Sequence, residues 1–212
     1  MADIEIMYVY DALCGWCYGF SPVIRQLSEK YGEQIKFTAL SGGMVLRERV
    51  GPVGETAGYI KWAYKEVEDV SGVKFGNGFL TRILEEGSYM YSSEKPGVAM
   101  TAFKSLSDKG QVEFAGKLQK ALFFNGENLN RDDVYGQLVE DFSIDKEEFL
   151  KRLRSEEYRT LTYEEFNKVG DFGINGFPSL ILKQGEKLYS LSRGYQGFDA
   201  LDEQLSTFLA EL

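Results

Sequence analysis

The sequence predicts an α/β fold whose sheet is interrupted by a large all-helical insertion between its second and third strands. Three observations predict it. Two stretches with strand character, residues 4–10 and 35–40, flank a segment with a helical period. From about residue 54 to 169, helical periods dominate and strand signals are few. Strand signals then return over 179–192, ahead of a last helical stretch. The implied division is residues 1–53 and 170–212 for the sheet-bearing unit and 54–169 for the helical insertion.

The elements follow in order. Ile4-Glu5-Ile6-Met7-Tyr8-Val9-Tyr10 is apolar and aromatic, as a buried first strand should be, and runs into Asp11-Ala12-Leu13-Cys14-Gly15-Trp16-Cys17. Val23, Ile24, Leu27 and Tyr31 then recur at helical spacings, with Gly32 as the expected stop. Residues 35–40 alternate as a second strand. Gly42-Gly43-Met44 follows, either lining a cleft or only turning the chain. Helices are expected over 55–67, 97–109, 112–124, 132–142 and 146–154, with a loop at 72–78. Asp145 with Glu148 resembles a capping box, and Asn130 with Asp133 has a similar pattern. Residues 179–183 form a short buried strand, 184–187 a turn, 188–192 the returning strand and about 198–209 the last helix.

Composition removes whole classes of function. The formal net charge of -9 opposes phosphate binding, and the cations between residues 146 and 159 alternate with glutamates as a solvated helix face. No nucleic-acid partner is expected. Apolar runs are about four residues long, against the roughly 20 that a spanning helix needs, so no membrane partner is expected either. Met1-Ala2-Asp3-Ile4-Glu5-Ile6 reads as a mature start, which predicts a cytoplasmic protein, or a periplasmic one had a leader been removed. The chain has two cysteines and no histidine. That excludes Ser-His-Asp triads, Cys-His dyads and histidine metal sites, and leaves too few ligands for a closed zinc site. No cofactor and no metal are expected.

Cys14 and Cys17 carry the chemistry. They sit at a strand-to-helix turn, where unpaired N–H groups and partial positive charge stabilise a thiolate, the nucleophile of thiol–disulfide exchange. Cys14 takes the exposed leading position, and Cys17, one turn on, is placed to attack a mixed disulfide formed at Cys14. A disulfide across so short a loop would constrain the unfolded chain little, so reactivity explains the pair better than stapling. The plainer reading makes both cysteines small core residues. Gly176-Phe177-Pro178 weighs against that: a proline at a strand start is permitted, and in a cis bond it would shape a loop with exposed backbone groups able to pair with an extended chain.

Cys14-Gly15-Trp16-Cys17, Pro22 in the next helix, and Gly176-Phe177-Pro178 before a hairpin and final helix resemble the thioredoxin superfamily. The long helical block narrows the resemblance to the DsbA-like branch, with its FrnE-like and predicted protein disulfide isomerase groups. It implies a thioredoxin-like fold, Cys14 as attacking and Cys17 as resolving cysteine, and Pro178 as a cis-proline facing them, with Gly176, Phe177 and Trp16 touching substrate. Gly15-Trp16 lacks the histidine that helps strongly oxidising relatives, which argues against a strong oxidase. The kappa-class glutathione transferase relatives carry serine where Cys14 stands, so the dithiol argues against that group.

With no histidine, a carboxylate or water must take the Cys17 proton; Asp11 is the candidate acceptor nearest in sequence, or else a turn residue. The expected function is a thiol–disulfide oxidoreductase, isomerase or reductase, acting on protein or peptide thiols and disulfides, with glutathione or a thioredoxin-type reductant as candidate partners. The alternative is a detoxifying, peroxide-reducing or redox-sensing protein that uses the same pair. A third class is a non-catalytic binding module in which the helical block grips a partner and the cysteines are vestigial or bind metal between two chains.

Overall fold

The strand signals at the two ends of the chain meet in one sheet. In the computed structural model, which describes residues 4–211, β1 (Ile4–Tyr10) is nearly buried along its whole length. This is the pattern of a strand covered on both faces. α1 (Gly15–Tyr31) and β2 (Lys36–Ser41) follow, with β2 parallel to β1. A two-stranded ribbon, β3 (Gly51–Pro52) and β4 (Met90–Tyr91), is interleaved with α2 (Ala57–Ser71) and a wide helical turn at Phe79–Glu85. α3 (Glu94–Lys104), α4 (Gln111–Phe123), α5 (Asp132–Leu138), α6 (Lys146–Leu153) and α7 (Glu156–Asp171) complete the helical block. β5 (Ser179–Gln184), β6 (Lys187–Arg193) and α8 (Phe198–Ala210) close the chain. The main sheet has the order β2-β1-β5-β6, with β5 antiparallel to β1. The expected thioredoxin-like α/β fold is what forms.

α4 packs against both α1 and β2, and one buried apolar cluster runs from the sheet into the helical block. Tyr8 and Leu180 of the sheet belong to the same core as Phe103, Phe114 and Phe149.

β2 lies at a sheet edge, and three of its backbone groups are satisfied by side chains of the helices. Ala39 N donates to Gln111 Oε1 at 3.0 Å, and Ser41 N donates to Glu165 Oε1 at 2.8 Å. Lys104 Nζ donates to Ala39 O at 3.1 Å and pairs with Glu165. An exposed row of such groups would invite another chain to pair, so these contacts close the edge.

Several expectations are corrected. The 55–67 helix begins at Ala57 and continues to Ser71, because Val53–Glu55 forms its own short turn. The 97–109 helix runs from Glu94 to Lys104, Pro96 falling in its first turn, where no N–H is needed. The 132–142 helix breaks after Leu138 into a short turn at Glu140–Phe142. Arg131, not Asn130, occupies the position before α5, and Asn130 Nδ2 donates instead to Met90 O at 2.9 Å. Asp145 caps α6 through Glu148 N at 2.7 Å. α7 and the β3–β4 ribbon were not anticipated. Met1 to Asp3, from which the chain start was read, lie outside the described residues.

Glu165→Ala leaves Lys104 without its counterion and Ser41 N without an acceptor. Urea denaturation should show a loss of about 3 kcal/mol, seen as a lower midpoint at unchanged slope.

Candidate active site

The turn between β1 and α1 is fixed by a buried carboxylate. Asp11 Oδ1 accepts from Leu13 N at 2.9 Å and from Ser93 Oγ at 3.0 Å, and Oδ2 accepts from Met44 N at 2.8 Å. Ser93 Oγ in turn accepts from Val45 N at 2.9 Å. Asp11 therefore ties the end of β1 to the loop after β2 and to the start of α3. Burial raises its carboxyl above the ordinary value, and the hydrogen bonds from Met44, Leu13 and Ser93 pull it back. Gly42-Gly43-Met44, left open by the sequence, belongs to this latch.

Held by that turn, Cys14 stands at the position preceding α1 with extended backbone, and its Sγ accepts from Cys17 N at 3.3 Å. A serine or aspartate oxygen usually performs this capping; here a sulfur does. Across the cleft, Cys14 Sγ donates to Phe177 O at 3.6 Å, and the Phe177–Pro178 peptide bond is cis. The dithiol and the Gly176-Phe177-Pro178 segment, 163 residues apart in sequence between Cys14 and Phe177, are thus neighbours. The leading position is less open than the sequence suggests: Cys14 is only 7% exposed and Cys17 fully buried. Burial pushes the Cys17 thiol well above its ordinary value, and hydrogen bonding and charge at Cys14 push it further. A backbone hydrogen bond from Asp11 works the other way.

Cys14 is reached through a cavity of about 290 Å³. Trp16, Met44, Ile60, Tyr64 and Phe75 share its wall with Cys14. The α2 side of this wall depends on Gly19 of α1, where a Cβ would meet Val67 Cγ1 at 2.8 Å and Ser71 Oγ at 2.9 Å. Trp16 is half-buried and packs on Tyr195, with ring centroids 5.9 Å apart. Gly176 is exposed, and its carbonyl accepts from Ser179 Oγ at 2.9 Å. Sequence reasoning missed Ser93 and the α2 wall. Ser93 reads locally as a helix cap but spends its hydroxyl on Asp11, and no local pattern shows which neighbour α2 faces.

The Phe177 ring is seated on Gly42: a Cβ there would fall onto the ring edge. Gly42 N donates to Tyr10 O at 2.7 Å, so the glycine cannot easily retreat.

Comparison with known proteins places these residues in context. A family model described as Thioredoxin matches residues 7–192. A candidate protein disulfide isomerase from Nitrosomonas europaea superposes with TM-score 0.85 at 23% identity, covering 99% of this chain and 98% of that one. The cytosolic disulfide reductase DsbM from Pseudomonas aeruginosa, whose structure has also been determined with GSH, superposes with TM-score 0.82 at 24% identity, covering 98% and 100%. Among curated proteins, the ClpXP adapter protein SpxH of Bacillus subtilis is 24% identical over 162 residues, 72% of this chain and 49% of the relative. The chain spans about half the length of the curated relatives it matches.

Gly42→Ala should cost about 1–3 kcal/mol by forcing the Phe177 ring aside. In a double-mutant cycle followed by chemical denaturation, Gly42→Ala with Phe177→Ala should lose less than the sum of the single changes. Strict additivity would show that ring and glycine do not oppose each other.

Proposed function

Because the chain belongs to the thioredoxin family, we propose that Cys14 and Cys17 are the redox-active dithiol of a DsbA-like thiol–disulfide oxidoreductase acting on protein or peptide disulfides. The observation that carries this reading is the placement of Cys14 Sγ between Cys17 N and Phe177 O, at the wall of a cavity open to substrate.

The chemistry follows from the geometry. The Cys14 thiolate attacks one sulfur of a substrate disulfide, forming a mixed disulfide and expelling the other sulfur as a thiolate, which takes up a proton. Cys17 then loses its proton and attacks Cys14 Sγ, closing the Cys14–Cys17 disulfide and releasing the second substrate thiol. Two electrons and two protons pass to the substrate; the reverse sequence oxidises it. Once Cys14 is ionised it no longer donates to Phe177 O, which becomes free to accept a backbone N–H from an extended substrate. Phe177 and Pro178 are in this reading the substrate-facing loop, with Gly176 beside them and Trp16 on the cavity side.

Asp11 suits the role of proton acceptor less well than the sequence suggested. Both its oxygens already accept hydrogen bonds from Leu13, Ser93 and Met44. That leaves water as the acceptor for the Cys17 proton, with Asp11 as the anchor of the turn.

Direction follows from the surroundings. Among the described residues no helix is long and apolar enough to cross a membrane. In a cytoplasmic setting the thiol pool would keep the pair largely reduced, which favours reductase or isomerase work over oxidation. Glutathione or a thioredoxin-type protein would restore the dithiol; the structure of DsbM with GSH supports a thiol of the first kind. The absence of histidine between the cysteines points away from a strong oxidase.

Insulin reduction should fall to the uncatalysed rate in Cys14→Ser, while Cys17→Ser should accumulate a mixed disulfide at Cys14. Equal rates for wild type and Cys14→Ser would sink the proposal, and faster turnover of peroxide than of protein disulfides would favour the detoxifying or sensing alternative. The pH profile has a defined sign. Because the Cys17 thiol is raised, its thiolate fraction, and with it the release step, should keep increasing with pH beyond the ordinary thiol range of about 8.5. Stopped-flow measurement of mixed-disulfide decay reads this directly.

A further inference from the structure

The cavity beside Cys14 differs chemically from the rest of the surface. The chain carries 57 charged side chains of the Asp, Glu, Lys and Arg types, 33 acidic and 24 basic. Among the described residues none of them lines this cavity, whose wall is made of Cys14 and neighbours such as Trp16, Met44, Ile60, Phe75 and Phe123. Its volume of about 290 Å³ falls just short of ligand sites, which run from about 300 to 1,000 Å³. That suits one bulky side chain and not a helix or a large cofactor. The apolar surface also continues outward. Tyr59, part of the cavity wall, is 68% exposed, and Trp62 one turn further along α2 is 64% exposed, their ring centroids 6.4 Å apart. Two large aromatics left in water at the mouth of a reactive cleft supply stacking area for an extended chain.

We infer that this cavity is a subsite for one bulky apolar side chain, aromatic or branched aliphatic, flanking the cysteine under attack in a polypeptide disulfide. The inference rests on the dithiol reading above and narrows its substrate class. Cys14 lies in the cavity wall, so a side chain seated there belongs to a residue close to the sulfur being attacked. Phe177 O, on the other side of Cys14, becomes able to hold the backbone of the same segment once the Cys14 sulfur is ionised and no longer donates to it. Glutathione disulfide fits poorly as the selected substrate, since each half carries two carboxylates and no apolar side chain, and the cavity offers it neither a cation nor a group to fill the space. Glutathione as the reductant that later restores the dithiol does not need the subsite.

The test is a single-turnover comparison with pre-reduced protein in excess, so that the protein dithiol supplies both electrons and no other reductant is required. The substrates are disulfide-linked dimers of two blocked peptides of equal charge, one with Phe and one with Ser on both sides of its cysteine, and glutathione disulfide. The Phe peptide should react at least about 10-fold faster than the Ser peptide, the discrimination an apolar pocket provides. Ala63→Phe, which fills the cavity from α2, should bring that ratio near one. Equal wild-type rates for the two peptides, or glutathione disulfide reacting as fast as the Phe peptide, would overturn the subsite and leave the oxidoreductase reading standing. Reduction of none of the three would overturn both. The wild-type ratio decides the matter even if Ala63→Phe fails to fold.

Discussion

A helix needs an acceptor for its first free N–H groups, and in this chain the acceptor at the head of α1 is the sulfur of Cys14. That substitution of sulfur for oxygen organises the site. It fixes Sγ against Cys17 N, sets the second thiol one turn behind it, and leaves the outer side of the sulfur facing Phe177 O. The cap holds only if the chain arrives at the correct angle, and Asp11 sets that angle by accepting from the turn, from the loop after β2 and from Ser93. A buried carboxylate with three donors costs desolvation, which its raised pKa reflects, and buys a rigid junction of three segments.

Around this junction the helical block does more than cover the sheet. α3, α4 and α7 supply the side chains that close the β2 edge, while α2 approaches α1 closely enough at Gly19 to wall the cavity. The two cysteines thereby acquire different surroundings. Cys14 borders the cavity, whereas Cys17 is fully buried in the core and holds its proton more tightly. Such asymmetry suits a pair in which one sulfur meets the substrate and the other acts only after a mixed disulfide has formed.

Much of this was legible in the sequence, for physical reasons that differ by element. The strand at 4–10 and the hairpin near 179–192 announced themselves because short continuous apolar runs and turn residues are local signals. The Asp145 cap was visible for the same reason, since its partner is three residues away. α7 was overlooked because its sequence, Glu156 to Asp171, is mostly charged and polar, and only Thr162, Phe166 and Val169 are buried. The β3–β4 ribbon pairs residues some 40 positions apart through strands too short to carry a pattern. At the site, spacing gave the two cysteines, and the resemblance gave the loop around Pro178. The Asp11–Ser93 latch and the contact of Phe177 with Gly42 join segments distant in sequence, and nothing local encodes them.

The central claim is that Cys14 and Cys17 interconvert between dithiol and disulfide in the folded protein. A redox titration against glutathione buffers, followed by the fluorescence of the adjacent Trp16, tests it most directly. One reversible two-electron transition is expected, moving about 30 mV per decade of the oxidised-to-reduced ratio and absent in Cys14→Ser. A signal that never changes across the accessible potentials, or a transition that survives in Cys14→Ser, would contradict it.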